Sequence, residues 1–130
     1  MNRVINFEIY AKDQNRSQAF YSTVFGWKIA DLGPEMGNYR LVDTGEATPG
    51  EKWPGISGGM NPRQGDLPAE GQPVNAYVCT IGIDAIDDYL KKVLAAGGTL
   101  AHDKMEVPGV GWLAYCKDPD GNIFGMMQPF

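Results

Sequence analysis

The chain has few of the residues that build disulfide frameworks and charge-relay sites. Its 130 residues include two cysteines and a single histidine. Cys79 and Cys116 do not form a CxxC pair, so we expect reduced, buried thiols and not a disulfide scaffold. His102 stands beside Asp103 and Lys104 in a polar stretch, which predicts an exposed imidazole. One histidine without a partner gives no catalytic triad and too few donors for a metal.

Long apolar segments and an excess of positive charge are also missing. No run of about 18 apolar residues occurs and no signal-peptide pattern is present, so we expect a cytoplasmic protein without a membrane partner. Eleven basic and sixteen acidic residues give a net charge of -5, which argues against nucleic acid or an anionic membrane surface as a partner. The sequence has no P-loop, no GxGxxG motif and no nucleophile elbow. We therefore predict no cofactor.

An internal repeat is the most informative feature that the sequence does have. Asp13 and Asp84 each end an apolar run, and Gly26 and Gly97 each follow a segment with helical apolar spacing, at the same separation in both pairs. Further on, residues 56–61 (ISGGMN) resemble residues 123–128 (IFGMMQ), because both have the form I-x-G-x-M-amide. A duplicated unit predicts pseudo-twofold architecture, with a ligand bound where the two halves meet.

Apolar periodicity and turn residues predict the same element order in each half. The predicted strands lie at 4–10, 27–32, 39–42 and 55–60 in the first half and at 74–83, 99–101, 111–117 and 123–128 in the second, with helices at 13–25 and 84–96. Residues 61–73 hold three prolines and two glycines without apolar periodicity, which indicates a linker. We therefore predict one α+β domain over residues 1–130, with βαβββ modules at about 1–60 and 74–130.

Several local motifs carry a family resemblance. Residues 118–122 (DPDGN) form a predicted turn before the last strand, because Pro119 fixes φ and the residues after it tolerate positive φ. Phe20-Tyr21 and Phe25-Gly26-Trp27 follow the first strand. In a duplicated βαβββ chain, this combination resembles the glyoxalase/bleomycin-resistance/extradiol-dioxygenase superfamily, the vicinal oxygen chelate proteins. The stretches at 107–112 (VPGVGW) and 122–125 (NIFG) look like its lactoylglutathione-lyase-related group.

The resemblance covers essentially the whole chain and implies an architecture and a metal site. Each module would form a cupped mixed sheet, and the two modules would enclose a cavity. In metal-dependent members, four strand positions supply His, Gln or Glu ligands to a divalent ion that acts as a Lewis acid. Here those positions fall on Asn6, on Tyr77 or Val78, on Gly58 and on Gly125. These residues lack the donors that zinc, nickel or iron prefer, so we predict no metal.

Strand alternation and the positions that the resemblance marks as inward predict a ligand cavity. Its expected lining is Asn6, Glu8, Gly58, Met60, Tyr77, Cys79, Trp112, Gly125 and Met127. Glu8 shares a strand face with Asn6 and Tyr10, and it could act as a general acid or base or could instead pair with a backbone donor or with Arg40. The two glycines could admit a ligand, or they could mark bulges or close module packing.

Two functions remain open from the sequence. The first is a metal-free small-molecule-binding protein whose ligand is small and apolar or aromatic, as in the drug-sequestering members of the superfamily. The alternative is a glyoxalase-like lyase or isomerase, or another small-molecule enzyme, with a non-standard site. The missing ligands argue against metal-dependent lactoylglutathione lyase activity. We also expect a homodimer, because cupped sheets have edges and apolar rims that a second chain would cover.

Overall fold

Two βαβββ units run along the chain, as predicted, and the class is α+β. The structure is a computed structural model that describes residues 2–50, 54–73, 77–117, 119 and 122–130. Within these residues the elements are β1 (Arg3–Ala11), α1 (Gln14–Phe25), β2 (Lys28–Asp31), β3 (Arg40–Asp43), β4 (Gly58–Pro62), β5 (Val78–Gly82), α2 (Ile86–Ala95), β6 (Thr99–Val107), β7 (Gly111–Lys117) and β8 (Ile123–Pro129). A short 3₁₀ helix at Pro34–Met36 precedes β3. Neither described helix is long and apolar enough to cross a lipid bilayer.

Several element boundaries differ from the sequence predictions, most clearly those of β4 and β6. Strand β4 runs to Pro62, two residues into the predicted linker. Strand β6 has nine residues where three were predicted, because antiparallel pairing with β7 continues to Val107 opposite Gly111 although its side chains are mostly polar and exposed. The predicted strand at 74–83 is described only from Tyr77 onward. In the predicted turn at 118–122, residues 118, 120 and 121 lie outside the described residues.

The N-terminal unit comprises Asn6–Tyr77. Its strand order is β2-β3-β4-β1. Strands β1 and β4 pair in parallel, with Glu8 opposite Gly59, whereas β3 pairs antiparallel with both β2 and β4. Helix α1 is the crossover that a parallel pair requires.

The C-terminal unit comprises Val78–Phe130 together with Met1–Ile5. Its strand order, β5-β8-β7-β6, repeats the pattern of the first unit, and β5 and β8 again pair in parallel. The first residues of the chain belong to this unit, where the Asn2 N–H donates to the Gly82 carbonyl at 2.7 Å. The compact units therefore divide differently from the predicted modules, at residues 5 and 77 instead of within 61–73.

Helix ends are fixed by different groups in the two units. Asp13 is the N-cap of α1, where its Oδ1 accepts from the Arg16 N–H at 3.0 Å, and Gly26 ends the helix in the left-handed conformation with φ 72°. In α2 the N-cap is Ala85, whose side chain makes no cap hydrogen bond. The Gln128 side-chain oxygen instead accepts from the Ile86 N–H at 2.9 Å. A residue of β8 thus satisfies an amide at the start of α2.

Each unit has a hydrophobic core on the side of its sheet that packs on the helix, which we call the helix face; the opposite side is the far face. In the N-terminal unit the core comprises Phe7, Ile9, Ala11, Val42 and Met60, with Tyr21, Trp27 and Ile29 packed against it. In the C-terminal unit it comprises Ile83, Ile86, Ala114, Cys116 and Met126, with Ile81, Tyr89, Leu90, Val93, Trp112 and Phe124. Because side chains alternate along a strand, the residues between these core positions lie on the far faces.

Candidate functional site

Glu8 is the centre of a polar cluster on the far face of the N-terminal unit. It alternates with the core residues Phe7 and Ile9 on β1, and only 9% of its surface is exposed. Its Oε2 accepts from the Tyr10 hydroxyl and from the Asn61 side-chain amide, both at 3.0 Å. A buried carboxylate needs such donors, because its desolvation is costly.

Strand register brings these groups together. Glu8 lies opposite Gly59 and Tyr10 opposite Asn61 in the parallel β1–β4 ladder, so the carboxylate, the phenol and the amide occupy neighbouring positions on one face. The sequence placed Asn6, Glu8 and Tyr10 on one strand face, and the structure agrees. Asn61 had been assigned to the linker.

Two tyrosines beside Glu8 are held in the protonated form. Burial, the negative charge of Glu8 and the hydrogen bond to it raise the pKa of Tyr10 well above its usual value. Burial and then the charge of Glu8 raise the pKa of Tyr39, while a hydrogen bond from the Asn6 side chain acts in the opposite direction. Both hydroxyls therefore remain neutral donors at physiological pH.

Tyr39 lies against Gly59. A β-carbon built at residue 59 would collide with the hydroxyl and the ring of Tyr39. Because Gly59 is the register partner of Glu8, this contact puts the phenol next to the carboxylate. The glycine is required here by close approach of a side chain.

Arg40 does not pair with Glu8, which was one of the predicted alternatives. Its guanidinium lies on the helix face, where it donates to Gln18 Oε1 at 2.6 Å and to Asn15 Oδ1 at 3.0 Å, both on α1. Asp31 is 3.5 Å from the same group. The acidic centre of the far face is thus separate from this cation.

The nine residues predicted to line a cavity divide between the two faces. Those on the far face are Asn6 and Glu8 of the N-terminal unit and Gly125 and Met127 of the C-terminal unit. Those on the helix face are Gly58, Met60, Tyr77, Cys79 and Trp112. Whether any of them binds a ligand stays a prediction.

The helix-face residues pack in ways that correct their predicted orientation. Met60 is fully buried in the core, and a β-carbon at Gly58 would strike Phe7. The Tyr77 ring stacks on Phe7, with centroids 5.5 Å apart, and its hydroxyl donates to the Tyr21 hydroxyl at 2.5 Å.

In the C-terminal unit, Trp112 packs against the core and contacts Phe130 edge-on. Cys79 alternates with Thr80 and so shares the face of Ile81. Both cysteines are free thiols, and burial raises the pKa of Cys116. His102 is exposed, as predicted.

A one-residue error in the alignment of the two repeats explains these corrections. The I-x-G-x-M match aligned Gly58 with Gly125, but Gly59 lies opposite Glu8 as Gly125 lies opposite Thr80. Shifting a strand by one residue moves every side chain to the other face. The matching positions are therefore Glu8 and Thr80 on the first strands and Gly59 and Gly125 on the last strands.

The far face of the C-terminal unit has a different chemistry. Thr80, only 4% exposed, takes the place of Glu8. A β-carbon at Gly125 would lie 2.8 Å from Thr80 Oγ1 and 3.2 Å from the Tyr115 ring. Sequence reasoning missed Thr80, because the parallel register of β5 and β8 was the information that it lacked.

The residues at the implied metal positions do not fit a divalent transition metal. Asn6 supplies a neutral amide, Gly58 and Gly125 supply no side chain, and Tyr77 lies on the helix face. The alternative to Tyr77, Val78, has a buried apolar side chain. Across the described ranges, no three side chains of His, Cys, Asp or Glu come together in a group that could hold a metal ion. Zinc, nickel and iron prefer imidazole, thiolate or carboxylate donors in such groups.

Comparison with known proteins finds relatives for most of the chain. Residues 3–45 match the family described as "Bleomycin resistance protein-like N-terminal". The protein described as "Putative glyoxylase CFP32" of Mycobacterium bovis is 30% identical over 123 residues, which cover 94% of this chain and 42% of that protein. The chain therefore spans less than half the length of the curated relatives that it matches.

Two solved structures share the fold. A glyoxalase/bleomycin resistance protein/dioxygenase superfamily member from Vibrio splendidus is 18% identical, with a TM-score of 0.63 and coverage of 98% of each chain. The methylmalonyl-CoA epimerase of Streptomyces coelicolor, in complex with 2-nitronate-propionyl-CoA, is 14% identical, with a TM-score of 0.66 and coverage of 99% of this chain and 98% of its own. At these identities the likeness establishes the fold alone.

Proposed function

We propose that the chain is a metal-free small-molecule-binding protein of the glyoxalase/bleomycin-resistance superfamily. The family match over residues 3–45 and the relative described as a glyoxylase support its place in that superfamily. The observation that carries this proposal is the cluster of Glu8, Tyr10, Asn61 and Tyr39 on the far face of the N-terminal unit. It gathers a carboxylate, an amide and two phenols, which is the kind of convergent polar group that orients a ligand. The part of the chain that the structure describes offers no suitable group of metal donors, which supports the metal-free part.

The proposed ligand is a small apolar or aromatic molecule that carries one hydrogen-bonding group. Its polar group would meet the Glu8 carboxylate and the Tyr39 hydroxyl, and its ring would contact the phenol faces. The Tyr39 phenol remains protonated, so it can donate to a ligand oxygen. The protein is proposed to be cytoplasmic and homodimeric, as expected from the sequence.

A thermal-shift experiment with phenol, 1-naphthol, indole and benzamide tests the binding proposal. A probe at ten times its Kd should stabilise the folded chain by about 1.4 kcal/mol through mass action. At least one probe should raise the melting temperature of the wild type and of Glu106→Gln, an exposed control on β6, but not that of Glu8→Gln. Equal shifts in Glu8→Gln would show that binding occurs elsewhere and would overturn this site.

A second candidate function is a glyoxalase-like lyase or isomerase, or another small-molecule enzyme, with a non-standard site. Glu8 favours it, because a buried carboxylate flanked by phenols could accept a proton from a bound substrate. The relative described as a glyoxylase and the epimerase with a related fold are consistent with such chemistry. Metal analysis of the purified protein tests the metal-free part of the first candidate, since stoichiometric nickel or zinc would favour the enzyme and count against the metal-free protein.

A further inference from the structure

Hydrogen bonds hold the backbone of Tyr39, whose side chain is half-buried on the far face. The turn before it contains Gly37 and Asn38, both with positive φ. The Tyr39 N–H donates to the Met36 carbonyl at 3.3 Å, and the Tyr39 carbonyl accepts from the Leu32 N–H at 3.0 Å. The Asn38 carbonyl also accepts from the Gln14 side chain at 2.9 Å. These hydrogen bonds hold the Cα of Tyr39 in place.

The ring occupies a space that exists only because residue 59 is glycine. Gly59 has no positive φ, so its backbone does not require glycine. What requires it is the Tyr39 ring, which lies where a β-carbon would be. The neighbouring Leu41 side chain, opposite Gly59 on β3, is 49% exposed and does not fill this space.

We propose that Tyr39, seated on Gly59, determines how large a ligand can reach Glu8. This inference rests on the proposed binding function of the same far face. In this proposal the ring on Gly59 limits the space beside the carboxylate, so that a compact one-ring ligand fits best. Displacing or removing the ring widens that space, so bulkier ring systems gain affinity relative to small ones.

The test is a series of probes with one hydroxyl each and one, two or three fused rings: phenol, 1-naphthol and 9-phenanthrol. Calorimetric titration gives each Kd for the wild type, Tyr39→Ala, Tyr39→Phe, Gly59→Ala and Met36→Ala. Met36 is the matched control, because it is 60% exposed on the turn that leads to Tyr39. Circular dichroism and melting temperature establish that each variant is folded.

The ratio of 9-phenanthrol affinity to phenol affinity should rise by at least about tenfold in Tyr39→Ala. Gly59→Ala should also raise this affinity ratio, because the added β-carbon displaces the Tyr39 ring while residue 39 stays a tyrosine. This variant therefore distinguishes the position of the ring from a general loss of packing. Tyr39→Phe keeps the ring and should preserve the wild-type ratio, as should Met36→Ala. Should Gly59→Ala fail to fold, the comparison of Tyr39→Ala with Tyr39→Phe still tests whether the Tyr39 ring controls the preference for ligand size.

The two proposals fail in different ways. If the probes bind the wild type and folded Tyr39→Ala with the same preference for ring size, the role of Tyr39 is wrong while the binding function stands. If none of the three probes binds the wild type or any variant, the binding proposal fails and the role of Tyr39 fails with it.

Discussion

At the scale of single residues, three tyrosines have hydroxyl groups that ionise less readily than an exposed phenol. Burial is the largest cause for Tyr10, Tyr39 and Tyr77; Glu8 adds to it for the first two and Tyr21 for the third. In the unfolded chain a tyrosine ionises near pH 10. Above that pH the unfolded state has released protons that the folded state retains, so the free energy of unfolding falls as pH rises.

We therefore expect stability to decline above about pH 10 and the decline to be shallower in Tyr10→Phe, by roughly one proton. Chemical denaturation at a series of alkaline pH values measures this slope. At pH 7, Tyr10→Phe should also be less stable by about 1–3 kcal/mol, because Glu8 loses a donor. Glu8→Gln should flatten the decline less, since burial contributes more than its charge. Identical slopes in wild type and Tyr10→Phe would refute the argument.

At the scale of elements, the two helices begin differently: α1 has a capping side chain at Asp13 and α2 has none at Ala85. Removing the first cap should therefore lower the free energy of unfolding, and adding a cap to α2 should raise it. Asp13→Ala removes the acceptor for the Arg16 N–H and should lower the free energy of unfolding by about 1 kcal/mol, whereas Asp13→Asn should cost little. Ala85→Ser adds a capping hydroxyl to α2 and should raise it by about 0.5–1 kcal/mol. Urea denaturation measures all three. A neutral effect of Asp13→Ala would contradict the assigned cap.

At the scale of the whole molecule, apolar surface that the described structure leaves exposed supports the predicted homodimer. Phe20, Val24 and Phe25 on α1 are each more than half exposed. Surface of this kind is typical of protein contacts. By contrast, β6 lies at the edge of its sheet and carries the charged residues 103, 104 and 106, which discourage edge-to-edge pairing.

Multi-angle light scattering across a hundredfold range of concentration measures the oligomeric state. We expect a mass twice that of the chain at the upper concentrations, and dissociation on dilution if the interface is small. Added salt should change the mass little, since the exposed residues of α1 are apolar. A monomer at every concentration would rule the homodimer out. The mass of the longer curated relatives, of whose length this chain matches 42%, can be measured in the same way for comparison.

The sequence by itself determined what depends on local pattern. Helical and two-residue periods gave the α+β class and the duplicated βαβββ order, and alternation put Asn6, Glu8 and Tyr10 on one face of β1. These features follow from residues close together in the chain, for which propensity and periodicity are sufficient. Capping residues such as Asp13 and Gly26 were likewise visible, because their chemistry acts within one turn.

Only the tertiary structure decided what depends on register between distant strands. Pairing of Glu8 with Gly59 and not Gly58 reversed the predicted orientation of Met60, because a shift of one residue exchanges the faces of a strand. The length of β6 was set by its partner β7, and the place of Tyr39 beside Glu8 by a glycine twenty residues further along the chain. Such positions follow from hydrogen-bonded ladders between segments far apart, about which single-strand periodicity carries no information.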